Sequence, residues 1–110
     1  KGMGIALASS STRILVDDSL RLLGIAEQFD VTVSGDEIPK KKPAPDVYLK
    51  VLELTGVNAE EAVAVEDSRA GIEAAKAAGI FCYGYDNPTS GMQDISKADQ
   101  QIKSIREIKV

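Results

Sequence analysis

Histidine is absent from the 110-residue sequence. That removes Ser-His-Asp and Cys-His catalysis, histidine metal ligands and a histidine general base. Cysteine occurs once, so no internal disulfide can form and thiolates cannot assemble a zinc cluster. That residue, Cys82, stands in the apolar run Ile80-Phe81-Cys82-Tyr83, the setting of a buried structural thiol rather than of a nucleophile. A reducing, cytoplasmic location is expected. No charged-then-apolar leader is expected from the opening residues, and no apolar stretch approaches the ~18 residues that span a bilayer. Positive charge is scarce too. Lys and Arg number 13 against 17 Asp and Glu, a net charge of −4, so neither nucleic acid nor an anionic membrane is an expected partner. The basic run Lys40-Lys41-Lys42 is too short to change that, and Lys40 and Lys41 read as a solvated loop.

What is present has the balance of an ordinary soluble domain, 44% hydrophobic and 27% charged. The length suits one domain or part of one, with a thin margin for a core. Short apolar runs alternate with helical patterns. Met3 to Ala8 reads as a strand whose unbroken apolar character suits burial on both faces. Ser9 to Thr12 can cap a helix carrying Ile14, Leu15, Leu20, Leu22 and Leu23, stopped by Gly24. Val31 to Val33 is a short strand, and Ser34 to Lys42 a polar loop. Pro45 opens a helix whose apolar side is Val47, Leu49, Val51, Leu52 and Leu54, and Gly56 ends it. Ala62 to Val65 is a second buried-type strand, Ala70 to Ala78 a small-residue helix stopped by Gly79, and Ile80 to Tyr85 another strand. A loop from Asn87 to Gly91, an edge strand Gln100 to Ile102 and a turn Ser104 to Ile108 complete the order. The alternation predicts an α/β domain with a mainly parallel sheet, its functional groups gathered at the carboxyl ends of the strands.

Three polar signatures fall at those ends: Ser9-Ser10-Ser11, Lys42-Pro43-Ala44-Pro45-Asp46 and Val65-Glu66-Asp67-Ser68. A helix starting after the first offers unpaired N–H groups and a positive dipole end. The Ser9 hydroxyl adds a donor, and the set can hold a phosphate dianion. Serine is also a favoured cap everywhere, so this signature alone implies nothing more. Lys42, extended ahead of Pro43, can reach inward to neutralise phosphate oxygens or keep an acidic nucleophile ionised. The plainer alternative is a surface lysine, against which Pro45 pins the loop beside it. Glu66 and Asp67 follow a buried strand directly, where uncompensated charge is costly. Mg²⁺, which prefers carboxylate and water oxygens, removes that cost. The alternative makes Asp67 or Ser68 a cap and leaves Glu66 in solvent. Together the three supply the means of phosphoryl transfer, which is mostly positioning and charge neutralisation. No acidic nucleophile motif precedes them, and Asp17-Asp18 fall inside the first helix.

On these residues, with Leu23-Gly24-Ile25-Ala26-Glu27-Gln28-Phe29-Asp30 and Val65 to Ile72, the chain resembles the haloacid dehalogenase-like hydrolase superfamily. In particular it resembles the β-phosphoglucomutase and phosphoglycolate phosphatase branch. The resemblance implies a Rossmann-like three-layer α/β core. It implies catalytic roles for Ser9 and Lys42, and phosphate or substrate contacts from Ser9, Ser10, Ser11, Arg13 and Lys42. It implies Mg²⁺ on Glu66 and Asp67, with Asp67 the direct ligand. Members carry an Asp-x-Asp motif after the first strand, whose first Asp forms an aspartyl-phosphate and whose second acts as acid/base. In this branch a helical cap domain follows. Residues 1–110 are therefore expected to be the C-terminal portion of the core, with the second, third and fourth motifs but without the nucleophile strand and the cap. The parent is expected to be an Mg²⁺-dependent phosphatase or phosphomutase acting on a small phosphorylated metabolite such as a sugar phosphate, and the chain alone to be inactive. The alternative is a non-catalytic module that binds phosphate or a protein. In the family fold the nucleophile strand lies between the strands ending at Ser9 and Glu66. Two open edges are expected in its place, closing on each other, self-associating with a second copy, or receiving an N-terminal segment.

Overall fold

The computed structural model describes residues 4–9, 11–88 and 91–108. Strands β1 (Ala6–Ala8), β2 (Val31–Val33), β3 (Val63–Glu66), β4 (Phe81–Tyr85) and β5 (Gln100–Ile102) alternate with helices α1 (Arg13–Leu23), α2 (Asp46–Thr55) and α3 (Arg69–Ala77). One-turn 3₁₀ segments at Ala26–Gln28, Gly35–Glu37, Ala59–Glu61 and Ile105–Glu107 fill the connections. No helix among the described residues is long and apolar enough to cross a membrane.

The helix ends follow from local chemistry. Thr12 Oγ1 accepts the Leu15 N–H at the start of α1, and Ser68 Oγ accepts the Gly71 N–H at the start of α3. Gly24 and Gly56 close α1 and α2 at φ 72°, the left-handed region that a side chain disfavours. α1 buries Val16 and Leu20, whereas Ile14, Leu22 and Leu23 are exposed.

All strand pairs are parallel, but they form two sheets. β1 pairs with β2 in the register Ala6↔Val31, Leu7↔Thr32, Ala8↔Val33. β3 pairs with β4, with Ala64 opposite Cys82, and β4 pairs with β5, with Gly84 opposite Gln101. β1 and β3 are not paired with each other, so the open edges have not closed onto one another. A shared roof joins the sheets instead. α2 and α3 cover one face of both, over a single core of Val33, Val47, Tyr48, Ala64, Ile72, Ala74, Ala75, Ile80 and Cys82. Burial of this kind is the main stabilising term in a small domain. α1 lies on the opposite face, where Leu7, Leu15, Val16 and Leu20 line a groove of about 170 Å³ with Ser9, Ser11 and Ser19.

The second buried-type strand is buried on one side only. Ala64 and Glu66 of β3 face the roof, while Val63 and Val65 are 47% and 41% exposed, and Phe81 of β4 is 42% exposed. Side chains alternate along a strand, and among the described residues the second face of β3 is left partly open to solvent. β1 is likewise less enclosed than its apolar run implies, with Ala6 exposed and Leu7 and Ala8 half-buried.

Candidate functional site

Because the strands are parallel, the segments after Ala8, Val33, Glu66 and Tyr85 leave from one rim. The β1–α1 turn is tied to the segment after β2. Ser9 N donates to Val33 O at 2.9 Å, Gly35 N to Ser11 O at 2.7 Å, and Ser9 Oγ accepts the Ser11 N–H at 3.0 Å. The Ser9 hydroxyl keeps its own proton to donate. Ser10 lies outside the described residues.

The first turn of α1 is already supplied with acceptors. Both Asp36 oxygens accept the Arg13 N–H at 3.1 Å, and Thr12 takes that of Leu15. Ser34 Oγ donates to Asp36, and that hydroxyl first, then the Arg13 N–H, holds the Asp36 carboxyl below its ordinary range. The Arg13 guanidinium is engaged with Glu37 at 2.8 Å, Asp17 at 2.9 Å and both the hydroxyl and carbonyl of Thr32 at 2.7 Å. Its hydrogen bond to Glu37 raises the Arg13 pKa and lowers that of Glu37. Arg13 thus ties α1 to β2, and the helix N-terminus carries a carboxylate of the chain itself.

Lys42 follows the loop after β2 and precedes a cis peptide to Pro43. Its side chain is 13% exposed and its ammonium donates to Glu66 Oε2 at 2.9 Å and to Ala8 O at 3.2 Å. The Tyr48 hydroxyl donates to the same Glu66 oxygen, and the ammonium lies 5.5 Å from the Tyr48 ring centroid. Glu66 is 9% exposed and points into the roof because it shares the parity of Ala64. Gly71 makes room for it: a Cβ there would sit 1.8 Å from Oε1. Burial first, then the Glu66 charge, pushes the Tyr48 phenol far above its ordinary value of 10.0, so it remains a donor at neutral pH.

Asp67 comes next on the rim, half-buried, and Asn87 after β4 donates to its Oδ2 at 2.8 Å. Gln93 Oε1 accepts the Arg69 N–H at the start of α3 at 3.1 Å. Among the described residues no group of three or more His, Cys, Asp or Glu could hold a metal ion.

The residues singled out from sequence therefore divide. Lys42 and Glu66 are in contact. Ser9 and Asp67 directly follow Ala8 and Glu66, the two residues to which Lys42 donates. Ser11 shares the Ser9 turn, while Arg13 is committed to Thr32, Glu37 and Asp17. Asp17 and Asp18 are ion-paired on α1 with Arg13 and Arg21. Sequence reasoning did not find Tyr48, Asn87 or Asp36. Only Tyr48 carried a signal: a phenol in an aliphatic helix needs an acceptor when buried.

The family model for haloacid dehalogenase-like hydrolases matches residues 1–85. The phosphorylated carbohydrates phosphatase of Thermotoga maritima is 45% identical over 80 residues, 73% of this chain and 37% of that protein. Protein CbbY of Rhodobacter capsulatus is 36% identical over 107 residues, 94% of this chain and 47% of that protein. The crystal structure of CbbY from Rhodobacter sphaeroides in complex with phosphate superposes with a TM-score of 0.87 at 35% identity, over 96% of this chain and 48% of that one. The chain thus spans about half the length, or less, of these relatives. With a rim that carries a lysine, a hydroxyl turn and an acidic pair on a parallel α/β frame, the chain belongs to the haloacid dehalogenase-like hydrolases, in their phosphatase branch.

Proposed function

We propose that this chain is the phosphoryl-holding part of an Mg²⁺-dependent phosphatase or phosphomutase that acts on a small phosphate ester such as a sugar phosphate. The observation that carries this is the Lys42 ammonium, set between the ends of β1 and β3 on Ala8 O and Glu66 Oε2, the residues that directly precede Ser9 and Asp67. Phosphoryl transfer demands little of a protein beyond holding the group and balancing its charge. Lys42 supplies a compact positive charge, and the Ser9 hydroxyl supplies a donor from a turn braced by Val33 and Gly35. The relatives, a phosphatase of phosphorylated carbohydrates and a CbbY structure in complex with phosphate, support the substrate class.

Asp67 fits Mg²⁺ as an oxygen ligand, because its carboxylate stands at the rim and Asn87 steadies one of its oxygens. Glu66 Oε2 already accepts from an ammonium and a phenol, so in this reading Asp67 is the direct ligand and Glu66 acts on the site through Lys42. When bound, Mg²⁺ supplies further charge neutralisation for phosphate oxygens.

The attacking carboxylate is not among these groups, and in our reading it arrives on a segment outside residues 1–110. The edges of β1 and β3 that face away from β2 and β4 have no strand partner among the described residues, and such edges accept a strand. Titration of the chain with inorganic phosphate in the presence of Mg²⁺ tests the reading. Lys42→Met and Asp67→Asn should each weaken phosphate binding at least tenfold, and undiminished binding in both variants would refute it.

A further inference from the structure

We propose that Tyr48 is a positioning residue for Lys42, its hydroxyl and its ring together setting where the ammonium stands between the ends of β1 and β3. Lys42 lies in a loop, and a lysine side chain has many rotamers. Its place is set by what it touches. Two of those contacts are the Ala8 carbonyl and Glu66 Oε2. The carbonyl is fixed by β1, but the carboxylate stands on a side chain that can rotate. The Tyr48 hydroxyl holds the very oxygen to which Lys42 donates. The third contact is the Tyr48 ring itself, 5.5 Å from the ammonium and within the range of a cation–π attraction.

Tyr48 can do this because it is packed into the core. It is 8% exposed, lies in the first turn of α2, and belongs to the core that joins both sheets. Burial keeps its phenol protonated, so the hydroxyl donates and never competes with Glu66 for the ammonium. The other enclosed phenol, Tyr83, is 6% exposed and stacks edge-on with Phe81 at 5.2 Å. It provides an internal control of matched burial. The importance of Tyr48 for phosphoryl transfer rests on the function proposed above, whereas the placement of Lys42 does not.

The test is nitrogen-15 NMR of the whole chain labelled at lysine side chains. The Lys42 ammonium signal is assigned by its loss in Lys42→Met. Tyr48→Phe keeps the ring and the packing and removes only the hydroxyl. The Lys42 signal should shift, and its protons should exchange with water about tenfold faster or more, as loss of a hydrogen bond to a charged group implies. Tyr83→Phe should leave both unchanged. Tyr48→Leu, which removes the ring as well, should bring the signal in among those of exposed lysines. If Tyr48→Leu does not fold, the Phe pair decides alone. Unchanged shift and exchange in Tyr48→Phe, or equal changes in Tyr48→Phe and Tyr83→Phe, would overturn the proposal. No outcome depends on turnover, so an absence of phosphatase activity leaves this result standing.

Discussion

The ammonium of Lys42 and the carboxylate of Glu66 lie 2.9 Å apart across the ends of two strands, β1 and β3, that share no ladder hydrogen bonds. Both partners are largely withdrawn from water, and Tyr48 occupies the same carboxylate oxygen. A pair in this setting contributes little against an apolar replacement of the same shape, yet removing one partner is costly because the other is left buried and charged.

Lys42→Met should therefore destabilise the chain by about 3 kcal/mol, the low end for breaking a buried pair, since both side chains retain some exposure. Combining it with Glu66→Gln should recover part of that loss. Urea unfolding of the two single variants and the double variant measures the coupling. Additivity to within about 0.5 kcal/mol would mean the pair is not coupled.

Gly71→Ala should destabilise despite alanine's better helix propensity. The added Cβ would stand 1.8 Å from Glu66 Oε1, so the carboxylate must leave its place beside Lys42 and Tyr48. A loss of about 2 kcal/mol is expected for a displaced charged hydrogen-bond acceptor. In a Glu66→Ala background the obstacle is gone, and the same substitution should stabilise by about 0.5–1 kcal/mol. Thermal melts of the four proteins check the change of sign.

Cys82 sets an alkaline limit. It is fully buried, and burial first, then the charges of Glu66 and Asp99, push its thiol from 9.0 up to about 12. The folded chain holds the proton more tightly than the unfolded one, so the stability gained is whole below pH 9.0. It is lost as pH rises from there towards 12. Cys82→Ala should flatten the decline of melting temperature with pH in that window. At pH 8 a thiol reagent should label the native chain only as fast as it unfolds.

Asp99 sets an acid limit of opposite sign. Its carboxylate accepts from Lys76 at 2.7 Å and from the Cys82 N–H at 2.8 Å, and the Lys76 contact leads in holding it below 3.8. Its contribution is present above that ordinary value and is lost as pH falls through the depressed one. Asp99→Asn should lower stability at pH 7 and make the loss below pH 3.8 shallower in acid titrations followed by circular dichroism.

Features fixed within a few residues were legible in the sequence. Thr12, Ser68, Gly24 and Gly56 bound their helices as caps do, because a cap needs only its own first or last turn. Lys42 and the Glu66-Asp67 pair were legible as rim groups because parallel strands send their carboxyl ends one way. The division of labour within that pair was not. Alternation puts Glu66 on the face of Ala64, and that this face of β3 is the buried one depends on the helices packed against it rather than on local pattern. Asp36 reaches Arg13 across 23 positions and Tyr48 reaches Glu66 across 18, distances over which local pattern carries no information.

The most direct test of the central claim is an assay of phosphate-ester hydrolysis with Mg²⁺, on the chain alone and on the chain mixed with the part of Rhodobacter capsulatus CbbY that it does not match. No turnover is expected from the chain alone, turnover is expected in the mixture, and Lys42→Met should abolish it. Turnover by residues 1–110 unaided, or undiminished turnover in the Lys42→Met mixture, would contradict that claim.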